Sequence, residues 1–141
     1  MNQSDEISPA FTKSEFATLA RFRHTLRQFL RFSEIAARQE HLTPQQHQLL
    51  LAIAGHSSRD WMTVGELAEA LQLNHNAAVQ LVDRVQAIGL VRRSDDPDDR
   101  RVVRVELAEP GKAKLARLTA MHRDELRRLH DDLAPLFAEM E

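Results

Sequence analysis

The stretch 63–111 constrains the fold more than any other part of the chain, because its hydrophobic pattern changes from helical to alternating. Residues 63–89 place apolar side chains at helical spacing in two runs that are joined by a tight turn. Residues 102–107 instead alternate apolar and polar side chains, which is typical of a half-buried strand. Residues 90–93 form a matching strand, and the Asp-Pro-Asp sequence at 96–98 is a turn signal. We therefore predict two helices followed by a two-stranded hairpin with a charged tip.

Signals for helix ends divide this region and the residues before it into three helices. A Thr-Pro pair at 43–44 predicts an N-cap followed by the first helical residue. Thr and Glu three positions apart at 63–66 predict a capping box, and Asn74 is expected to cap the next helix, 75–88. Gly89 stands where a left-handed residue ends that helix. The predicted buried face of helix 75–88 consists of Ala78, Leu81, Val82, Val85 and Ile88.

Two longer amphipathic segments flank these helices. Residues 14–38 form a predicted helix with Ser14 as its N-cap, and Pro110 opens a second long helix. Pro135 is expected to break or redirect the second helix before a short final one, because proline cannot donate a backbone hydrogen bond. Residues 1–10 have no periodicity and are expected to form a loose tail.

The predicted fold class is mainly α with a small β-hairpin wing. We expect a single domain over 1–141, in which 43–109 form a winged helix-turn-helix region and 14–38 and 110–141 form dimerisation helices. The flanking helices carry more apolar surface than one small core needs. The side chains expected at a homodimer interface are Phe16, Leu19, Phe22, Phe29, Leu126, Leu129, Leu133 and Phe137. The alternative is that these side chains close the core of a monomer.

Composition argues against several classes of function. The chain has no Cys among its 141 residues, so a disulfide framework, a thiolate metal site and a cysteine redox switch are excluded. It shows no apolar run long enough to span a bilayer and no signal-peptide pattern, so the cytoplasm is the expected location. No Ser/His/Asp arrangement or Gly-rich phosphate loop is visible, and we do not expect an enzyme. No cofactor or metal is predicted, because the seven His residues match no metal-ligand spacing.

Charge is unevenly distributed, although the formal net charge is only −2 and the isoelectric point about 6.4. Residues 84–104 contain six Arg and four Asp, and only three of the 19 basic residues of the chain are Lys. Arginine suits bidentate contacts to phosphate and guanine, although codon bias in a GC-rich genome also explains its abundance. The acidic balance argues against a non-specific nucleic-acid binder, so a nucleic-acid interface would have to be local.

Four segments carry a resemblance to a known family. They are LTPQQ at 42–46, TVGELAEAL at 63–71, LVDRVQAIGLVRR at 81–93 and DPDDRRVVRVEL at 96–107. With these motifs and the predicted order of elements, residues 15–133 resemble the MarR family of bacterial transcriptional regulators. The resemblance implies a homodimer that binds double-stranded DNA at a pseudo-palindromic operator, as a repressor that a small aromatic or phenolic effector releases. The chain departs from the family at Leu107-Ala108, where Leu-Thr is usual, and so lacks a Thr cap for the next helix.

The helix 75–88 occupies the place of the recognition helix. Its candidate DNA-contacting residues, with the cap before it, are Asn74, His75, Asn76, Ala77, Gln80 and Arg84. Asn76 and Gln80 are four residues apart and therefore lie on one side of the helix. Their amides can pair with adenine in the major groove, Ala77 can contact a thymine methyl group, and Arg84 is better placed for a phosphate. The alternative is that Asn74 is only a cap and the other residues are ordinary surface polar groups.

The hairpin tip carries the family's Asp-x-Arg motif as Asp99 and Arg101. The resemblance implies that Arg101 enters the minor groove and that Asp99 orients either Arg101 or the turn; a narrow minor groove attracts Arg. Arg100 is expected to bond a phosphate or to pack back on the domain. Of Arg92 and Arg93, one is expected to contact phosphate and the other to face solvent. The alternatives are a solvated, salt-bridged hairpin, or a winged-helix protein–protein interaction module without DNA binding.

The resemblance also predicts a site for the effector. The resemblance implies a cleft between the dimerisation and DNA-binding regions, and Arg21, His24, His41 and Trp61 are the candidates to line it. Each of these four side chains is also explained as an ordinary surface or boundary residue. They are therefore retained only as candidate ligand-binding residues.

Overall fold

The computed structural model describes residues 10–140, which form helices and one small antiparallel sheet. The helices are α1 (Lys13–Gln39), α2 (Pro44–Ala54), α3 (Val64–Leu71), α4 (His75–Ala87) and α5 (Glu109–Ala138). The strands are β1 (Trp61–Met62), β2 (Val91–Asp95) and β3 (Val103–Leu107). This architecture confirms the predicted fold class of a mainly α protein with a β-hairpin wing. Of the predicted N-terminal tail, residues 1–9 lie outside the described part of the chain.

The chain divides into two compact units. One comprises Met1–Ser33 and His122–Glu141, of which residues 10–33 and 122–140 are described, and the other comprises Glu34–Met121. The boundary between the units falls inside α1 and inside α5. The second unit contains the helix pair and the hairpin that the sequence singles out.

The sheet of the second unit has the strand order β1-β3-β2, and both neighbouring pairs are antiparallel. Trp61 and Arg92 are both opposite Glu106, on its two neighbouring strands, so these three side chains share one face. Val105, between Met62 and Arg93 in the register, points to the other face and is fully buried. The alternation predicted for 102–107 therefore gives the sheet one face toward solvent, called the wet face below, and one face that packs against the helices.

The core of the second unit is built from side chains of the helices and the sheet. Its largest fully buried members are Leu49, Leu50, Ile53, Leu67, Val82, Val85, Val105 and Leu118. Burial of an aliphatic side chain of this size contributes about 1.5–3 kcal/mol relative to exposure. This core holds α4 and the hairpin against α2 and α3, which fixes the platform for a surface site.

Predicted helix ends in the second unit are confirmed. Thr43 and Thr63 each form a complete capping box with the residue three positions later, and Asn74 Oδ1 accepts the backbone N–H of Ala77 at 2.8 Å. Gly89 has a φ of 79°, the left-handed conformation that ends many helices without steric cost to glycine. The missing Thr at 108 does not delay α5, which begins at Glu109, one residue before the predicted Pro110.

Three predictions of detail are wrong. The N-cap of α1 is Thr12, since its hydroxyl accepts the N–H of Glu15 at 3.2 Å and Glu15 bonds back to the N–H of Thr12 at 3.0 Å. Ile88 is 52% exposed, because it is the C-cap of α4 and its backbone has left the helical stripe. Pro135 lies inside the continuous helix α5 and does not break it. Pro135 is exposed in the last turns of α5, where only one hydrogen bond is lost.

The first unit pairs the N-terminal part of α1 with the C-terminal part of α5. His122 is buried and its Nε2 lies 2.9 Å from Ser33 Oγ, with the rings of Phe29 and Phe32 edge-on to the imidazole. The ring of Phe22 lies against that of Phe137. Several large apolar side chains of this unit are nevertheless half exposed or more, namely Phe11, Phe16, Leu19, Leu30, Leu126, Phe137 and Met140. The described unit therefore presents a broad apolar surface.

Candidate nucleic-acid interface

Helix α4, the predicted recognition helix, is positioned by the turn that precedes it. Gln72, the C-cap of α3, adopts a left-handed conformation with φ 56°, and the N–H of Leu73 donates to the carbonyl of Ala68 at 2.8 Å. The chain then enters α4 at its cap Asn74. This compact turn lets both helices bury their apolar faces in the same core.

The buried stripe of α4 decides which of its side chains reach solvent. Ala78, Leu81, Val82 and Val85 are buried, which leaves His75, Asn76, Gln80 and Arg84 exposed. Asn76, Gln80 and Arg84 follow at intervals of four residues and so form one ridge. Asn74 is exposed but its side-chain oxygen caps the helix, so only its amide N–H groups are left for another partner. Ala77 is half buried.

The hairpin tip is organised by two of its aspartates. Asp96 Oδ1 accepts the backbone N–H groups of Asp98 and Asp99 at 2.8 and 3.1 Å, and Asp96 Oδ2 accepts two N–H groups of Arg104 at 3.1 and 2.8 Å. These hydrogen bonds, from the Asp98 backbone first and then from Arg104, hold the pKa of the Asp96 carboxyl below its ordinary value. The tip is therefore a hydrogen-bonded turn around an ionised carboxylate.

Asp99 and Arg101 form the pair that the sequence predicts. Asp99 Oδ1 accepts from Arg101 Nε at 3.2 Å and from the Arg101 backbone N–H at 3.0 Å, while Oδ2 accepts from Nη2 at 3.3 Å. Hydrogen bonds from the Arg101 side chain and then its backbone lower the pKa of Asp99. The Arg101 side chain is nevertheless 91% exposed. The carboxylate thus braces an arginine that projects from the tip into solvent.

The other hairpin arginines differ because they point to different faces of the sheet. Arg92 shares the wet face with its cross-strand neighbour Glu106, and Arg92 Nε lies 2.8 Å from Glu106 Oε1. Arg93 points to the opposite face and bonds Asp83 at 2.6 Å and also Gln86, both on α4. Arg93 therefore ties β2 to the recognition helix. Arg100 is exposed at the tip.

An open groove of about 460 Å³ lies between the start of α3, the start of α4 and the hairpin. Its lining residues are Thr63, Val64, Gly65, His75, Val79, Arg93, Arg101, Val102 and Val103. The groove brings the predicted contacts His75 and Arg101 to one surface. Sequence reasoning missed Val79, Val102 and Val103 as members of this groove, since their half-buried apolar side chains look like ordinary core residues.

The candidate effector residues are distributed over both units. Arg21 and His24 are exposed on α1 in the first unit. In the second unit, His41 is exposed with a left-handed φ of 61°, and Trp61 stacks with the guanidinium groups of Arg59 and Arg104. Sequence reasoning missed this stack, for which Arg104 on the wet face of β3 was the available signal.

Residues 10–140 contain neither a membrane-spanning helix nor a metal-binding cluster. In that part of the chain, no helix is both long enough and apolar enough to cross a membrane. The same residues contain no cluster of three or more His, Asp or Glu side chains placed to hold a metal ion.

Comparison with known proteins finds a family whose members are similar to this chain over the helix-turn-helix and most of the hairpin. The sequence profile of the MarR family matches residues 42–102. The uncharacterized HTH-type transcriptional regulator YsmB of Bacillus subtilis (strain 168) is 38% identical over 66 residues, which are 47% of this chain and 45% of YsmB. The HTH-type transcriptional repressor MdtR of the same organism is 29% identical over 79 residues, 56% of this chain and 49% of MdtR. The chain spans about half the length of these curated relatives.

A solved structure shares the fold over more of the chain. A mutant MarR from E. coli, complexed with operator DNA, aligns with a TM-score of 0.68 and 24% identity, over 99% of this chain and 94% of that one. The family profile falls on α2 to the hairpin tip, where the capping boxes, the braced Arg101 and the exposed ridge of α4 are found. Residues 42–102 are thus similar in sequence to the MarR family, and the chain shares the fold of a solved MarR protein.

Proposed function

We propose that this protein is a sequence-specific DNA-binding transcriptional repressor that acts as a homodimer on a pseudo-palindromic operator. The observation that carries the proposal is the braced and fully projecting Arg101 at the hairpin tip, which lines one groove with the start of α4. The match of residues 42–102 to the MarR family profile, and the shared fold with an E. coli MarR that was solved with operator DNA, support DNA as the ligand. The name of the relative MdtR, a transcriptional repressor, supports the sign of regulation.

In this proposal α4 reads the major groove. Its ridge of Asn76, Gln80 and Arg84 is exposed along the side that the core leaves free. The amides of Asn76 and Gln80 are suited to adenine, and Arg84 is suited to a phosphate. His75 and Ala77 complete the contact at the start of the helix, with Asn74 contributing through its amide N–H groups.

The hairpin supplies the second contact. Arg101 enters the minor groove, where a narrow A·T-rich segment has concentrated negative potential. Asp99 limits the rotamers of Arg101 before DNA arrives, which reduces the entropy lost on binding. Arg100 and Arg92 are the proposed phosphate contacts beside it.

The acidic tip does not argue strongly against DNA. Asp96 is paired with Arg104 and Asp99 with Arg101, so two of the four aspartates are already neutralised within the protein. Asp95 and Asp98 are left as exposed negative charges at the tip. We expect these two charges to weaken binding to non-cognate DNA more than binding to the operator. Non-specific binding is almost wholly electrostatic, whereas operator binding also uses the contacts of Arg101.

We propose that a second copy of the chain packs against the apolar surface of the first unit. Phe11, Phe16, Leu19 and Phe137 are each more than half exposed there. An exposed contiguous apolar surface marks an interaction site in a soluble protein. A two-fold dimer would present two α4 helices to successive major grooves, about 34 Å apart, and would bind a palindromic site.

Release from DNA by a small-molecule effector is the last part of the proposal. Arg21, His24, His41 and Trp61 stay candidate contacts for an aromatic or phenolic acid. We expect a phenolic acid that is an effector to raise the melting temperature of the free protein and to lower its affinity for DNA. Any acid that raises the melting temperature without changing the affinity is a ligand but not an effector.

The DNA proposal is tested with duplexes selected from a random pool by the purified protein. Wild-type protein should enrich a pseudo-palindrome, and both Arg101→Ala and the double variant Asn76→Ala/Gln80→Ala should weaken its binding by about tenfold or more, the effect of a lost base contact. Arg117→Ala is the matched control, since Arg117 is an exposed, ion-paired arginine on α5 outside the proposed interface. Equal binding by wild type and both interface variants would refute the assignment of these residues.

Salt dependence separates phosphate contact from base contact. With three phosphates per half-site, the logarithm of affinity should fall against the logarithm of salt concentration with a slope of roughly −5. Arg100→Ala should reduce that slope by about two in a dimer, one contact for each protomer. A flat salt response, or no enriched sequence from a protein that sedimentation shows to be dimeric, would instead favour the protein–protein module.

A further inference from the structure

The wet face of the sheet carries a continuous chain of side-chain contacts from the hairpin tip to the start of α3. The Cζ atoms of Arg59 and Arg104 lie 3.9 and 4.2 Å from the ring centroid of Trp61. Arg104 bonds Asp96, and Arg59 bonds Glu66. We call these five residues, Asp96, Arg104, Trp61, Arg59 and Glu66, the arginine–tryptophan array.

Each end of the array holds backbone in place. Asp96 accepts the N–H groups of Asp98 and Asp99, so it shapes the turn from which Arg101 projects. At the other end, Glu66 Oε1 accepts the backbone N–H of Thr63 at 3.0 Å and completes the capping box of α3. The array therefore connects the turn of the hairpin to the first turn of the helix-turn-helix.

Three side chains of the array are largely shielded from solvent. The side chains of Asp96 and Arg104 are only 13% and 27% exposed, and that of Arg59 is 26% exposed. Both N–H groups of Arg104 that face Asp96 bond the same carboxylate oxygen, which leaves the other oxygen for the turn. Partial burial strengthens such charged hydrogen bonds and cation–π contacts relative to exposed ones.

The register explains why the contacts converge on Trp61. Trp61 lies opposite Glu106 on β3, and Arg104 is two residues from Glu106 and therefore on the same face. A diagonal neighbour on the same face of an antiparallel pair is within reach of a long side chain and an aromatic ring. Because β1 is only two residues long, it pairs with β3 through Trp61 and Met62 alone.

We propose that the arginine–tryptophan array positions the hairpin for minor-groove reading, with Trp61, Arg104 and Asp96 as positioning residues that act through Arg101. This inference rests on the proposed DNA-binding function. Loss of the stack would free Arg104, loosen the turn held by Asp96 and let Arg101 sample directions that do not enter the groove. The array residues thus affect sequence discrimination without contacting DNA.

A double-mutant cycle tests the coupling. The quantity measured is the ratio of affinities for the selected operator and for the same operator with its minor-groove A·T steps replaced by G·C. Trp61→Leu and Arg104→Met should each lower this ratio by about threefold or more, in the range found for coupled residues. In an Arg101→Ala background, neither substitution should lower the ratio further. An equal loss in both backgrounds, or equal weakening on both DNAs, would overturn the inference.

Matched variants separate positioning from general damage. Trp61→Phe keeps an aromatic face for both arginines and should retain most of the discrimination that Trp61→Leu loses. Arg117→Met makes the same charge change as Arg104→Met at another arginine–carboxylate pair and should leave the ratio unchanged. Discrimination lost equally by the phenylalanine and leucine variants would also count against the stack.

A measurement in the absence of DNA tests the array independently of the proposed DNA-binding function. In Trp61→Leu and Arg104→Met, the amides of Asp98 and Asp99 should exchange with water about fivefold faster or more by NMR, because their acceptor Asp96 is no longer held. Unchanged exchange would overturn the array even if the wild type binds DNA. Faster exchange in a protein that selects no DNA would refute the proposed function alone. Fluorescence of Trp61, the single Trp of the chain, reports the stack directly.

Discussion

Gly111 is the position where a substitution that normally stabilises a helix should do the reverse. It lies in the first turn of α5, where alanine is usually favoured over glycine by up to about 1 kcal/mol. A Cβ at 111 would lie 3.1 Å from the carbonyl carbon of Leu90 and closer than 3.0 Å to its oxygen, a contact that real Cβ atoms essentially never make. That same oxygen accepts the N–H of Ala108 at 2.9 Å. The start of α5 and the start of the hairpin are therefore packed backbone to backbone.

The clash with the Leu90 backbone determines how much stability Gly111→Ala is expected to lose. The obstructing atoms at Leu90 are backbone, so they cannot move aside by a change of rotamer, and Leu90 itself is buried. Overpacking of this kind costs about 1–3 kcal/mol, which outweighs the gain in helix propensity. For a chain of this length, we expect Gly111→Ala to lower the melting temperature by about 3–9 °C.

Gly65→Ala is the matched control, because Gly65 is also in the first turn of a helix of the same unit. A Cβ at 65 would meet only the Thr63 hydroxyl, at 3.9 Å, so alanine fits there. We expect its effect to lie between neutral and a stabilisation of about 1 kcal/mol. Thermal and urea unfolding followed by circular dichroism measures both variants. A Gly111→Ala protein as stable as the wild type would refute the packing argument.

Three further predictions concern the same unit. Thr63→Ala should destabilise by about 1 kcal/mol in urea unfolding, since it removes the hydroxyl that caps the Glu66 N–H. Leu50→Ala should cost about 2–5 kcal/mol and Leu51→Ala far less, because Leu50 is fully buried and Leu51 is 42% exposed. Folding lowers the pKa values of Asp96 and Asp99, so their ionised carboxylates stabilise the folded state. This stabilisation is fully present above the pKa of an unfolded Asp, about 3.9, and is lost as the pH falls through the pKa values of the folded protein. NMR titration should place both midpoints below that value, and Arg104→Met should raise the midpoint of Asp96; an unchanged midpoint would contradict the Asp96–Arg104 pair.

Local signals in the sequence determined most of the helix and strand assignments. Capping boxes at Thr43 and Thr63, the cap at Asn74 and the left-handed Gly89 depend on hydrogen bonds and backbone conformations within a few residues. The exposed ridge of α4 also follows from the sequence alone, since helical periodicity specifies which side chains oppose the apolar stripe. The Asp99–Arg101 pair is two residues apart, so its geometry is equally local.

Only the tertiary structure decided the partners of the long arginine side chains. The sequence does not distinguish Arg92, Arg93 and Arg104. The sheet register places Arg92 beside Glu106, Arg93 against α4, and Arg104 in contact with Asp96 and Trp61. Likewise, nothing near Gly111 in the sequence reveals the carbonyl of Leu90 against it. These contacts join residues eight or more positions apart or on different elements, and their existence depends on how strands and helices pack. Periodicity and capping report short-range physics, whereas the arrangement of charges on the hairpin is a property of the assembled sheet.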